Sequence, residues 1–291
     1  MPLSIVLAAL FAVVLWGASA VAAKIAVVTL SPISVALLRT IIGGFAALFV
    51  AVIMRVPFPA TREQRCLVAL SGFCGFVGFP ILFTIGVKLT SANHASMILA
   101  TLPIFTGAIA MAWDQKHPQR IWWIGCAVAL AGEAWLISST DSSNGQQSSV
   151  AGDMLVLLSN VFASLGYVVG GRLQRSGYAA TGTTFWGAAI YAVVLLPFLP
   201  FVSGSVELSA ASTQSWLAVL YLAIGVTIVG YICWYWALGK GGIERVGLMQ
   251  FLQPVSGIIL AWLLLGETIN AQFIFASVLI FLGVAIAIRA K

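Results

Sequence analysis

The chain has 291 residues, of which 61% are hydrophobic and only 8% charged, and its mean hydropathy is +1.07. A water-soluble fold of this composition would have no polar surface to present, so its solvent is lipid and the chain reads as an all-α polytopic membrane protein. The net charge of +6 calls for no nucleic-acid partner, because the basic residues are scattered over separate loops and form no stripe.

Apolar runs of about 20 residues, the length of helix that crosses about 30 Å of hydrocarbon, lie at 3–23, 33–54, 66–87, 92–113 and 121–139. After a polar connector they resume at 150–171, 183–202, 215–238, 245–265 and 271–289. This predicts ten spans. The first run ends in Ala18, Ser19 and Ala20, but no Lys or Arg precedes it, so it reads as a retained span and not as a cleaved signal. The connector at 138–149, SSTDSSNGQQSS, has no helical periodicity and reads as a flexible tether. The predicted organisation is a first repeat at 1–140, a periplasmic linker at 141–149 and a second repeat at 150–291.

An offset of 151 residues carries Pro103 onto Pro254, Ala110 onto Ala261, Gly132 onto Gly283 and Ala134 onto Ala285 without a gap. Four matches in register on equivalent spans indicate a duplicated unit. With five spans per unit, the second enters the membrane upside down, as in the inverted repeats of secondary transporters. Charge orients the bundle. With the N-terminus inside, the inner loops and tail hold Arg55, Arg62, Arg65, Lys116, Arg120, Arg172, Arg175, Lys240, Arg245, Arg289 and Lys291, while the outer side holds only Lys24 and Lys88. The positive-inside rule then places both termini in the cytoplasm.

Enzyme chemistry finds no purchase. Cys66, Cys74, Cys126 and Cys233 form no CxxC pair, and His94 and His117 lie near helix ends with no metal-ligand spacing. No phosphate-binding glycine loop is present, so no ATPase activity, catalytic residue, metal or cofactor is expected.

Candidate solute contacts come from three residue classes. Prolines inside spans free a carbonyl and bend the helix, which makes Pro80, Pro103 and Pro254 candidate gating kinks. Polar side chains at mid-membrane depth cost free energy unless they find a partner or water, and Thr101, Asn160, Ser164, Gln250 and Gln253 are such residues. Interhelical hydrogen bonding is the alternative for each. Among the aromatics, Trp16, Phe79, Phe83, Tyr167, Trp186 and Tyr231 are candidate cavity walls, whereas Trp122, Trp123, Trp234 and Tyr235 are assigned to the interfacial belt. The pairs Gly43 and Gly44, Gly72 and Gly75, and Gly170 and Gly171 are expected to serve close helix approach, away from ligand. Arg39 and Glu133 each lie about 9 Å below an outer helix end. Either they pair with one another, or Arg39 faces the cavity and attracts a substrate carboxylate.

The stretch from Gln253 to Val284 combines Pro254, the helix-ending Leu265, Gly266 and Glu267, and a closing Gly283. It resembles the repeat of the drug/metabolite transporter superfamily, specifically its EamA-type ten-helix members. The first half carries a degraded copy, with Pro103, Gly125 and Gly132 in place but Gln115 and Lys116 where Gly266 and Glu267 stand in the second. Trp16, Gly17 and Arg39 also look like the family pattern, while Ala276 replaces an expected glycine. The resemblance implies export of a small polar metabolite such as an amino acid through a central cavity between the halves. Nucleosides, cationic compounds or a non-transporting sensor are the alternatives. The implied partners are the small-molecule substrate and the bilayer alone, with no ATPase subunit.

Overall fold

The computed structural model describes residues 2–113, 119–138, 149–202, 204–241 and 252–289, and among these the regular structure is helical throughout. The helices are α1 (Leu3–Ala26), α2 (Pro32–Ile53), α3 (Arg62–Leu89), α4 (Ala92–Trp113), α5 (Arg120–Ser138), α6 (Val150–Arg175), α7 (Ala180–Val202), α8 (Thr213–Trp234, continuing to Gly241), α9 (Leu252–Leu265) and α10 (Ala271–Arg289). Seven of them, α1 to α4 and α6 to α8, are long and apolar enough to cross a membrane, so the chain is a polytopic helical membrane protein.

Local sequence sets where the helices begin. Ser31 caps α2 by accepting from Ser34 N, with Pro32 supplying a first-turn residue that needs no partner for its nitrogen. Thr61 and Gln64 form a reciprocal capping box on α3, and Ser91 and Ser212 cap α4 and α8. In between, apolar side chains point outward to lipid: Leu3, Leu7, Phe11 and Val14 form an exposed stripe at helical spacing on α1.

The principal contacts pair α2 with α7, α5 with α10, α3 with α6, α1 with α8, α4 with α6 and α1 with α9. Exchanging each helix for the one five places along maps α2–α7 and α5–α10 onto themselves, α3–α6 onto α1–α8, and α4–α6 onto α1–α9. The tightest crossing shows the same exchange at residue level. A Cβ on Gly283 would lie 2.3 Å from Ala129 N and 2.6 Å from Gly125 O, and one on Gly132 would lie 3.0 Å from both Ala276 O and Ile280 Cγ1. Those contacts are related by the same 151-residue offset seen in the sequence. Gly43 and Gly44 make the equivalent close approach of α2 to Ala223 and Ala188, and Gly72 meets Gly187, as expected of packing glycines.

Without a hydrophobic driving force between helices in lipid, such backbone-to-backbone packing is what holds the bundle together. Gly283→Ala is therefore expected to push α10 off α5 and cost about 1–3 kcal/mol, read as a lower unfolding midpoint in detergent. Gly171→Ala, whose added carbon meets nothing within 4 Å, should leave that midpoint unchanged.

Candidate functional site

A cavity of about 360 Å³ lies between the two halves. Six predicted contact residues line it: Trp16 from α1, Arg39 from α2, Phe79 from α3, Tyr167 from α6, Tyr231 from α8 and Gln253 from α9. Trp16 is held by its indole N–H, which donates to Val226 O at 3.1 Å, and its ring sits edge-on to Tyr231 at 5.1 Å. Trp234, assigned from sequence to the interfacial belt, is instead buried and packs on Trp16 with ring centroids 5.3 Å apart. Arg39 is 8% exposed, and its guanidinium lies 6.0 Å from the centroid of the Phe79 ring. The hydroxyls of Tyr231 and Tyr167 are its electrostatic neighbours.

The remaining candidates stand elsewhere, each for a physical reason. Phe83 is fully buried behind Phe79, with which it stacks at 5.2 Å, so it supports the wall without reaching the space. Thr101, Asn160 and Ser164 are consumed by a break in α4, where a 3-10 turn at Leu99–Thr101 precedes Pro103. Asn160 Nδ2 donates to Ile98 O at 2.7 Å and to Thr101 Oγ1 at 3.3 Å, and Ser164 Oγ donates to Leu102 O at 3.2 Å. These three residues satisfy backbone around a proline and are not in the lining. Trp186 sits near the start of α7, where its indole donates to Val56 O and Pro57 O at 3.3 and 3.1 Å and its ring packs edge-on against Phe58. It clamps a loop. Pro80 leaves the carbonyl of Phe76, four residues earlier, without a backbone donor, and Thr40 Oγ1 takes it at 2.7 Å. Pro254 is buried in the first described turn of α9, while Gln250 and the side chains of Pro103 and Glu133 lie outside the described residues. Of the two alternatives for Arg39, pairing with Glu133 involves a side chain outside the described residues; α5 packs chiefly on α10, and α2 packs on α7, α8 and α3.

Sequence reasoning missed two features of the lining. Gly75, Gly170 and Gly171, assigned to helix packing, border the cavity, and no atom lies within 4 Å of where a Cβ on Gly75 or Gly171 would stand. Both equivalent third helices of the halves also widen into π-helical turns, Cys74–Gly78 in α3 and Tyr221–Gly230 in α8. Gly75, Phe76, Val226 and Thr227 from these turns face the cavity, consistent with π-turns marking functional positions inside helices. Their only sequence signal is glycine beside aromatics.

The two ends of the bundle differ. At the end carrying the α2–α3 and α6–α7 loops and most described Arg residues, the basic end, the cavity reaches Ser71 of α3, Gly171 of α6, and Thr183 and Thr184 near the start of α7. Tyr178 in the α6–α7 loop donates to Pro57 O at 2.8 Å, and burial pushes its phenol up to about 12, so it stays a donor at physiological pH.

The opposite end is bridged by hydrogen bonds between the two halves. Both carboxylate oxygens of Glu267, which follows α9, accept from Ala92 N and Asn93 N at 2.7 Å at the start of α4. Asp153, in the first turn of α6, accepts from Thr90 Oγ1 and meets His94 Nδ1 at 3.0 Å. Lys24 donates to Val87 O and Thr90 O, and Lys88 donates to Val27 O at 2.6 Å. Two acids of the second half thus grip the α3–α4 junction of the first from either side. From the sequence, Glu267 and His94 fall at helix ends and Lys24 and Lys88 on the outer side, and Asp153 receives no role. The signal was Gly266, whose φ of 65° turns the chain so that Glu267 folds back.

Residues 3–138 and again 150–289 match the EamA-like transporter family. A Salmonella typhimurium protein named as a probable amino-acid metabolite efflux pump is 31% identical over 290 residues, covering 96% of this chain and 92% of its own. Uncharacterized transporter YdeK of Bacillus subtilis is 27% identical over 277 residues, covering 95% and 94%. A solved crystal structure superposes with a TM-score of 0.65 at 19% identity over 100% of this chain and 98% of its own, which shows a shared fold. The chain belongs to the EamA-like transporter family of the drug/metabolite transporter superfamily and is a membrane transporter, not an enzyme.

Proposed function

We propose that this transporter exports amino acids or closely related small metabolites by alternating access, through the cavity between two inverted five-helix repeats at 1–140 and 150–291. The observation that carries the reading is the asymmetry of the cavity, which reaches toward the basic end while second-half acids lock the other. The family match falling twice, at 3–138 and 150–289, supports the repeat, with 141–149 as the tether. The positive-inside rule supports ten spans, a cytoplasmic basic end with both termini, and residence in an inner membrane.

Solute loads from the cytoplasm in this state. Arg39 engages its carboxylate, Tyr167, Tyr231 and Gln253 offer further polar contacts, and Trp16 and Phe79 form the apolar wall. The π-turns of α3 and α8 and the proline-broken α4 supply the bending, because their carbonyls are held by exchangeable side chains and not by a continuous helical ladder. Export then requires Glu267 and Asp153 to release the α3–α4 junction.

In proteoliposomes loaded with labelled amino acids, nucleosides or a cationic dye, amino-acid efflux should exceed the other two, and no efflux of any solute by folded protein would sink the reading. Asn160→Leu should lower stability by about 1–3 kcal/mol by removing the amide that donates to both Ile98 O and Thr101 Oγ1 across α4 and α6, with the order of preference among solutes unchanged. A reporter after Lys291 should be cytoplasmic and one at Gly145 periplasmic; both on the same side would remove the inverted repeat.

Glu267→Ala should favour opening of the bridged end. The readout is a Ser19→Cys probe on a background lacking the four native cysteines, labelled by an impermeant thiol reagent from the periplasmic side. A rise of about tenfold, equivalent to about 1.4 kcal/mol, is expected, and no rise would show that the carboxylate does not hold that end shut.

A further inference from the structure

Arg39 is the one formally charged side chain among the described residues that line the cavity. It is buried. Among the described residues the one ion pair is His94 with Asp153, at the bridged end, so the guanidinium has no carboxylate partner there. Its neighbours are the Phe79 ring and the phenols of Tyr167 and Tyr231. A guanidinium stays protonated in proteins, and a buried charge without a counter-ion is strongly destabilising. An anion drawn from solution meets that demand.

A zwitterionic amino acid brings a carboxylate but also an ammonium, and the lining holds no acid to receive it among the described residues. Four of its backbone oxygens already accept from side chains. Val226 O accepts from Trp16, Phe76 O from Thr40, Gly166 O from Ser71, and Leu102 O from Ser164 and Thr106. The lining hydroxyls of Thr183, Thr184 and Thr227 donate back to their own helices, so what the lining offers an ammonium is neutral oxygen only, from these hydroxyls and the Gln253 amide.

We infer that the preferred solute carries a net negative charge, such as an N-acylated amino acid or another monocarboxylate of that size, and that each transport cycle moves one negative charge outward. This rests on the cavity being the solute path. It also names the energy source. An inside-negative potential expels an anion, and 100 mV shifts the equilibrium distribution of one charge about fiftyfold. No buried carboxylate need shuttle protons across the midplane.

The test uses the full chain in proteoliposomes, with potentials of either sign set by potassium gradients and valinomycin. Leucine, N-acetylleucine and leucinamide serve as zwitterionic, anionic and cationic probes of similar shape. N-acetylleucine should move fastest, and its final distribution should follow the imposed potential, approaching a fiftyfold shift per 100 mV. Leucine should move more slowly and without response to potential, and leucinamide slowest. Arg39→Gln should abolish the preference for N-acetylleucine, whereas Arg39→Lys, which keeps the charge, should retain it.

Leucine moving faster than N-acetylleucine, or N-acetylleucine distribution indifferent to potential, overturns the anion inference and leaves the transporter reading standing. If none of the three probes nor any solute of the wider panel moves, the cavity is not the solute path, and both fall. The potential response of the unmodified protein needs no variant, so misfolding of Arg39→Gln cannot mask the answer.

Discussion

Backbone groups inside a bilayer have no water to fall back on, and the architecture around the cavity is organised by that constraint. A rigid, unbroken bundle would satisfy every carbonyl within its own helix, but it would have no give. Around the cavity, several interruptions are mended by a side chain from a neighbouring helix. Thr40 serves the carbonyl freed by Pro80, Asn160 and Ser164 serve the break before Pro103, and Trp16 holds Val226 in the π-turn of α8. Three of these four repairs, those by Asn160, Ser164 and Trp16, cross from one half of the chain to the other. The bending points are therefore also the places where the halves are stitched together.

That arrangement explains what the sequence could and could not reveal. Span positions were legible because hydrophobic length is a one-dimensional property: the run placed at 92–113 is the helix Ala92–Trp113, and that placed at 183–202 starts at Ala180. The duplication was legible because Gly132 and Gly283 must stay small where α5 and α10 touch. Depth alone could not say which way a polar side chain faces. Asn160 and Arg39 are both polar residues inside a span, yet one closes a backbone gap and the other borders open space. Trp186 lies within two turns of the start of α7 at Ala180, and only the fold shows that the α2–α3 loop comes back over that end to put the carbonyls of Val56 and Pro57 within reach of its indole.

The repeat is symmetric in packing and asymmetric in chemistry. The 151-residue offset sets Asp153 against Pro2 and Glu267 against Lys116, so the sequence positions that bear clamping acids in the second half bear a proline and a lysine in the first. A carboxylate at the start of α4 accepts from free N–H groups and sits well in the helix dipole, and a lysine in the related position has neither advantage. The packing symmetry is thus kept while the chemistry of a few helix ends has diverged.

Gly75 and Gly171 give the cavity wall two places where a methyl group meets nothing. A glycine codon becomes an alanine or serine codon through a single base change. Cavity volume and polarity can thus be retuned one small group at a time, without moving a helix or disturbing a repaired carbonyl. Neighbouring branches of a lineage can drift from one solute to another through such steps while the bundle stays fixed, which is one physical route by which a single scaffold comes to serve many metabolites.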